Sequence, residues 1–89
     1  MLTRLIEVYK HPGERVHLDE VYVSSQAVTS IRPETNNQML SEAIELGISP
    51  QASLSRLTIN EGGMARTITV VGSPSEIKNK LGIRNLLKG

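Results

Sequence analysis

The sequence contains no cysteine, phenylalanine or tryptophan, and its only aromatic residues are Tyr9 and Tyr22. Without cysteine the chain can form no disulfide, no thiolate metal site and no thiol nucleophile. With two tyrosines it has little on which to stack single-stranded bases. The apolar runs are only a few residues long, so no segment is predicted to cross a membrane. The first residues lack the apolar stretch of a secretory signal, and we therefore expect a cytoplasmic protein.

The overall composition is that of a small folded protein. The 89 residues are 38% hydrophobic and 21% charged, which predicts a single domain over residues 1–89. Charge is uneven along the chain: residues 1–55 carry four basic and seven acidic side chains, whereas residues 56–89 carry six and two. An acidic half and a basic half can pair within one fold or across a head-to-tail oligomer, and a solvated mixed surface is the simpler interpretation.

The first third of the chain has the patterns of β-strands. Residues 2–9 are rich in strand-forming side chains and predict one strand. His11-Pro12-Gly13 predicts a turn, and residues 16–23 alternate in part between apolar and polar. Residues 27–32 predict a further strand that ends at Pro33, because proline has no N–H to donate to a sheet.

A helix is predicted over residues 35–47. Thr35 and Gln38 have the spacing of a capping box, in which the two side chains bond the backbone N–H groups at the start of a helix. Gly47 is predicted to end the helix. Between them the apolar residues recur at helical spacing: Met39, Leu40, Ala43, Ile44 and Leu46.

The last third predicts a hairpin and a second short helix. Residues 54–59 and 67–71 have strand patterns on either side of Asn60-Glu61-Gly62-Gly63, whose glycines allow a tight reversal. Ser73-Pro74-Ser75-Glu76 is a second capping box with proline at the first helical position, and Gly82 is predicted to end that helix. The order of elements predicts an α+β fold with a small, mainly antiparallel sheet and two short helices.

Catalytic and metal-binding patterns are sparse. The only histidines are His11 and His17, and neither has motif spacing to Ser24, Ser25 or Asp19. His17 and Asp19 would share one face of a strand, but no motif of metal ligands accompanies them. We therefore expect a protein that is not an enzyme and that has no metal and no cofactor.

Anion binding is the chemistry that the sequence supports best. The two predicted helix N-termini offer unpaired N–H groups and a positive dipole end. The candidate ligand-binding residues are those at strand ends and helix starts, namely Arg32, Glu34, Arg66, Ser73 and Ser75. Arginine can grip phosphate with two parallel hydrogen bonds. The alternative is that the two serines and Glu34 serve only as caps and turn residues.

Several segments carry a pattern known from one family: Leu2-Thr3-Arg4-Leu5, residues 21–31, Leu57-Thr58-Ile59-Asn60-Glu61-Gly62 and residues 69–77. The pattern resembles the small FlbD-like proteins of bacteria and their phages, in which a short β-meander ends in a strand-to-helix junction of the type V-x-x-S-P-E-E-I. Residues 35–53, which hold the first predicted helix, are an insertion relative to that pattern.

A second set of positions is Val23-Ser24, Ile31, Pro33-Glu34-Thr35, Ala43 and Gly47. This set resembles a stretch of the RemA-like regulators, with a spacing that differs by one residue before the proline. Those regulators assemble as rings and bind DNA through basic residues. Together the two resemblances imply a small, oligomeric, non-catalytic and β-rich protein. The chain also resembles phage accessory proteins in being short, free of cysteine and poor in aromatic residues.

Three functions follow as hypotheses. The first is a non-catalytic binding module, such as a phage accessory protein, that sequesters an anionic, nucleotide-type ligand at the interface of a homo-oligomer. The second is an oligomeric DNA-binding regulator of the RemA-like type, with affinity that falls steeply with salt. The third is an inhibitor of a host protein. The apolar group Ile83, Leu86 and Leu87 motivates the oligomer, because monomers seldom expose such a patch.

Overall fold

A computed structural model describes residues 2–83, which form a five-stranded antiparallel sheet and two α-helices. The predicted α+β class is confirmed. The elements in chain order are β1 (Leu2–Tyr9), β2 (His17–Ser24), β3 (Val28–Pro33), α1 (Asn37–Glu45), β4 (Leu54–Glu61), β5 (Met64–Val71) and α2 (Pro74–Leu81). A short 3₁₀ turn, Ser25–Ala27, joins β2 to β3.

The strands lie in the order β2-β1-β5-β4-β3. The β1–β2 and β4–β5 pairs are hairpins, and α1 lies in the connection between the neighbouring strands β3 and β4. The fourth contact joins the first strand of the chain to the last. It is short, with Glu7 paired to Val70 and Val8 paired to Thr69.

Helix α2 covers one face of the sheet, and we call this the α2 face. Side chains alternate between the two faces along a strand, and on β4 Leu57 and Ile59 point toward α2 and are almost fully buried. Ile68 and Val70 lie on the same face of β5, as the hairpin pattern predicts. This core consists of ten buried residues, namely Leu5, Val23, Val28, Ile31, Leu57, Ile59, Ile68, Val70, Ile77 and Leu81.

The opposite face, which we call the α1 face, has a smaller core at one end. Buried Ala43 of α1 belongs to the same apolar cluster as Val8, Val16 and Leu54. Glu42 is also buried, and its carboxylate accepts hydrogen bonds from the Val16 backbone N–H (2.9 Å) and from the Gln38 side chain. The helix therefore closes its end of the sheet with apolar contacts and one buried carboxylate.

The predicted hairpin and second helix are confirmed, but the strands run further than predicted, with Asn60 and Glu61 in β4 and β5 starting at Met64. Gly62 and Gly63 both have positive φ, 58° and 80°, which is the conformation of a two-residue turn that matches strand twist. The Ser73 hydroxyl accepts from the Glu76 N–H, while the Glu76 carboxylate accepts from the Ser73 N–H. Gly82 ends α2 in the left-handed conformation.

The predicted cap of α1 is wrong, because Asn36 and not Thr35 caps this helix. The Asn36 side-chain oxygen accepts from the Met39 N–H at 3.0 Å, and the Gln38 side chain bonds Glu42 instead of reaching back. Asparagine is among the best capping residues. The Glu34 carboxylate also accepts a hydrogen bond from the Asn36 N–H. The helix therefore begins at Asn37, one residue later than the sequence spacing predicts.

The remaining strand and turn predictions differ only at their ends. β3 begins at Val28, because Ala27 belongs to the 3₁₀ turn, and it includes Pro33. The predicted turn is present, with the Glu14 N–H donating to the His11 carbonyl at 3.0 Å. Leu86 and Leu87, on which the predicted apolar tail depends, lie outside the described residues.

Candidate functional site

The end of the α1 face that α1 leaves open carries two arginines side by side. Arg32 of β3 is paired with Arg56 of β4, which is paired in turn with Thr69 of β5. Cross-strand partners point to the same face. Their neighbours Ile31 and Leu57 are buried in the α2-face core, so both guanidinium groups lie on the opposite, α1 face. We call Arg32 and Arg56 the arginine pair.

Glu34 organises one member of this pair. Its backbone N–H donates to the Leu54 carbonyl, which holds it just beyond the last residue of β3. Its side chain is only 5% exposed. The carboxylate accepts from Arg56 through Nε (3.3 Å) and Nη2 (3.1 and 3.3 Å), from the Thr69 hydroxyl (3.1 Å) and from the Asn36 N–H (3.2 Å).

These bonds keep Glu34 charged. Burial on its own raises the pKa of a carboxyl group, but the hydrogen bonds from Arg56, Thr69 and the Asn36 N–H outweigh that effect, and the pKa of Glu34 lies below its ordinary value. The ionised carboxylate therefore holds the Nε–Nη2 edge of Arg56 in place. The arginine side chain is still 53% exposed, and its Nη1 makes no hydrogen bond to the rest of residues 2–83.

Arg32 is the uncompensated member of the pair. It is exposed, and no ion pair or side-chain hydrogen bond involves it within the described part of the chain. Like charges directly across two strands destabilise a sheet, and here the Glu34 carboxylate bonds only Arg56 of the two. Hydroxyl groups lie one row further along the same face, because Ser30 is paired with Thr58 and Thr58 with Thr67.

The structure does not bring the five predicted site residues together. Arg32 and Glu34 lie near the same end of the α1 face. Arg66 is paired with buried Ile59 and so lies on the α2 face, with Glu61 at 3.8 Å. Ser73 is engaged in capping α2, and Ser75 occupies the first turn of that helix.

Arg56 is the residue that sequence reasoning missed. Its place opposite Thr69 follows from the Gly62-Gly63 turn, which fixes the register of β4 on β5. That signal was available in the sequence. The position of Arg56 beside Arg32 could not be predicted from the sequence, because twenty residues, including α1, separate β3 from β4 along the chain.

Two cavities lie elsewhere on the α1 face. One of about 80 Å³ is lined by Lys10, Val16, Asn36, Gln38, Met39 and Glu42. The other is an open groove of about 380 Å³ at the far end of α1, lined by Ile6, Leu18, Asp19, Glu20, Leu46, Gly47 and Ile48. Neither includes a member of the arginine pair, so that pair lies on an open surface.

The histidines lie at the loop end of the β1–β2 hairpin. Tyr9 stacks on His17 with ring centres 5.5 Å apart and meets His11 edge-on at 5.8 Å, while His17 Nε2 lies 3.3 Å from Glu14. Ser24 is at the other end of β2, about 23 Å from His17 at the usual rise of a strand. This separation keeps that serine out of reach of the imidazole.

Two further observations concern ligands and membranes. Within residues 2–83, no three histidine or acidic side chains are grouped so that they could hold a metal ion. Neither α1 nor α2 has the length and apolarity needed to traverse a bilayer.

The segments that resemble FlbD-like and RemA-like proteins map mainly to elements that determine the fold. The Ser73-Pro74-Ser75-Glu76 junction is the start of α2, and Pro33-Glu34-Thr35 is the exit from β3. Membership of either family remains a prediction. Comparison of the chain with protein-family models, curated proteins and solved structures found no match.

Proposed function

We propose that this protein is a non-catalytic binding module that holds a phosphate-bearing, nucleotide-type ligand on the arginine pair. The observation that carries the proposal is the arrangement of Arg32 and Arg56 opposite each other, with Glu34 fixing only one edge of Arg56. A rigid, partly neutralised guanidinium beside a free one is suited to an oxyanion that brings a second negative charge.

Each residue has a distinct part in this proposal. Arg32 supplies donors that no other described residue uses. Arg56 supplies Nη1, while its other edge stays on the carboxylate and loses less side-chain freedom when a ligand binds. Glu34 is a positioning residue, because it acts through Arg56. Its charge also disfavours anions that cannot reach both guanidinium groups at once.

An oligomer is part of the proposal. Small ligands are usually held in clefts that bury most of their surface, whereas the arginine pair lies outside both described cavities. A second copy of the chain packed over the open end of the α1 face would supply the missing wall. We therefore propose that the ligand is sequestered at the interface of a homo-oligomer.

Isothermal titration calorimetry tests the proposal directly. Inorganic pyrophosphate and a nucleoside triphosphate are titrated into the wild-type chain, Arg32→Glu and Arg66→Glu. The last variant is the matched control, because it makes the same charge change on the opposite face. We expect Arg32→Glu to weaken binding by about 100-fold, as expected for loss of a charge-assisted contact, and Arg66→Glu to change it by less than about threefold.

Two results would overturn the assignment. One is equal affinity of the wild-type chain and Arg32→Glu for both probes. The other is a loss of binding in the Arg66 variant as large as that in the Arg32 variant, which would indicate a general response to net charge. Thermal melts of the two variants without ligand show whether either substitution unfolds the chain.

A second candidate function is an oligomeric DNA-binding regulator, and the flatness of the surface favours it. An open face with exposed arginines and hydroxyl groups can follow a phosphate backbone without enclosing it. Duplex DNA titrated at increasing salt separates the two functions. Steeply salt-dependent binding that Arg32→Glu weakens supports DNA, whereas a ligand-induced rise in Tm with the triphosphate alone supports the binding module. If neither probe binds, inhibition of a protein partner is the remaining hypothesis.

A further inference from the structure

The 380 Å³ groove at the far end of α1 is an apolar surface with no cover among residues 2–83. We call it the α1–β2 groove. Ile6 and Leu18 form its floor, and Leu46 and Ile48 form the wall that follows α1. Leu46 is 54% exposed, which is unusual for a leucine at the end of a helix that is otherwise packed on a sheet. Contiguous exposed apolar groups of this kind commonly mark binding surfaces.

The electrostatic character of the groove is negative. Asp19 and Glu20 line the side formed by β2. Glu20, opposite Ile6, lies on the groove face, whereas Asp19, opposite Glu7, lies on the other face of this edge strand. The C-terminal end of α1 lies at the other side, and its last turn contains no basic residue, so the negative end of the helix dipole is not offset there. Arg4 bonds Glu20 at 2.8 Å and neutralises one of the two carboxylates. An occupant should therefore combine apolar side chains with positive charge.

We infer that the occupant is the segment 84–88 of a second copy of the chain. Its sequence is Arg84-Asn85-Leu86-Leu87-Lys88, and it contains the only pair of adjacent leucines in the protein, with a basic residue on each side. The leucines match the apolar floor, and the basic residues match the acidic edge of β2 and the C-terminal end of α1. The proposal rests on this match and not on the arginine pair.

A second copy fits better than the same copy for a topological reason. Ile83, the last described residue, packs against the α2-face core, whereas the groove lies on the α1 face. Two grooves placed face to face would bring like charges together. Insertion of the basic segment of one copy into the acidic groove of the next pairs opposite charges instead, and it is a heterologous contact. It also accounts for the acidic first half and the basic second half of the sequence.

Sedimentation equilibrium of the full chain measures the contact. The test variants are Leu46→Asp, which breaks the groove, and Leu86→Asp with Leu87→Asp, which breaks the segment. Met64→Asp is the control, because Met64 is exposed at the tip of the β4–β5 hairpin, away from the groove. We expect each test variant to weaken self-association by about 100-fold or more, as for loss of two buried leucines or their pocket, and the control to change it little.

Mixing the two test variants gives the decisive result. Each retains one half of the contact, so a mixture should form it through the intact groove of one chain and the intact segment of the other, while neither variant alone should form it. A mixture that associates no more strongly than either variant alone overturns the proposal. So does a wild-type chain that is monomeric at high concentration, which would leave the segment of the same copy or another partner as the occupant, or a segment variant that self-associates like the wild type.

Failure of this proposal is distinguishable from failure of the proposed function. Pyrophosphate binding by the Leu46→Asp variant would show that the arginine pair works without the groove contact. Loss of pyrophosphate binding in Arg32→Glu with unchanged self-association would show that the groove contact forms without the arginine pair. The two outcomes depend on residues at different ends of α1.

Discussion

The two faces of the sheet are each covered by one helix, but they are built differently. On the α2 face, ten buried apolar residues form a continuous core beneath a helix that is capped at both ends. On the α1 face, the apolar cluster has four buried members and covers only one end, and the other end is polar and open around Arg32 and Arg56. Stability is therefore concentrated on one face, which leaves the other face free to carry charged groups in contact with solvent.

Buried polar groups sharpen the contrast. Glu34 and Glu42 are two acidic side chains that the fold covers, and both belong to the α1 face and are held by several hydrogen bonds each. The α2 face has buried Ser55, whose hydroxyl donates to the Gly72 carbonyl at 2.7 Å. A covered carboxylate costs desolvation that must be offset, and on the α1 face the hydrogen bonds to Glu34 and Glu42 provide that offset.

The largest expected effect is a cavity in the α2-face core. Leu57 is fully buried in the central part of the sheet, and Leu57→Ala should lower the free energy of unfolding by about 3 kcal/mol. Thr58→Ala, one residue away on the other face, should change it by less than about 0.5 kcal/mol. Urea unfolding of both variants measures the difference. Similar losses at the two positions would contradict the assignment of stability to one face.

A smaller effect is expected at the junction between β5 and α2. Gly72 has φ of +128°, and a Cβ there would lie 2.8 Å from Cδ1 of buried Ile77. Gly72→Ala should therefore cost about 2 kcal/mol through backbone strain and displacement of a core side chain. Gly13→Ala is the matched control, because Gly13 also has positive φ but open space around it. Thermal melts should show the larger decrease for Gly72.

The smallest expected effect is a pH dependence on the α1 face. A backbone hydrogen bond from Val16 and a side-chain bond from Gln38 hold the pKa of Glu42 below its ordinary value. A depressed carboxyl pKa contributes stability that is present above the unfolded-state pKa and is lost as the pH falls through the folded-state pKa. Glu42→Gln should thus lower the Tm at about pH 6 and approach the wild-type Tm as the pH falls through the folded-state pKa of Glu42.

The same substitution at exposed Glu45 controls for the loss of one negative charge from α1. Melts of both variants across the acid range give the comparison. A difference in Tm between the wild type and Glu42→Gln that grows toward low pH has the wrong sign and would contradict the role of the Val16 bond.

The parts of the fold that local chemistry dictates were predictable from the sequence. Gly62-Gly63 determines a turn that few other residues permit, and the Ser73 and Glu76 spacing satisfies the first N–H groups of α2. The start of α1 was not predictable in the same way. Thr35 and Asn36 are both good caps, and the choice between them depends on Glu34, which reaches the Asn36 N–H only because Arg56 and Thr69 hold its carboxylate.

The candidate site was predictable only in part, for a related reason. Arg32 and Glu34 stand at a strand end, which is visible in the sequence, whereas Arg56 becomes relevant only once β3 and β4 are known to be neighbours. Two strands that are joined through a helix, as β3 and β4 are, have no turn sequence that determines their register. Arg66 is easier to place from the sequence than Arg56, because it lies near the start of the second strand of a clear hairpin. Side chains alternate along β5, however, and Arg66 lies on the α2 face, away from the arginine pair.

The short contact between β1 and β5 divides the sheet into two unequal units. One is the β1–β2 hairpin, and the other is the three-stranded unit of β3, β4 and β5, which includes the arginine pair. Two residue pairs join the units, whereas eight pairs join the strands within either hairpin. Cooperative opening in native proteins follows such weak seams. A ligand on the arginine pair would restrain only the larger unit directly. An occupant of the α1–β2 groove would instead contact β1, β2 and the chain after α1, and so would tie the smaller unit to the connection between β3 and β4.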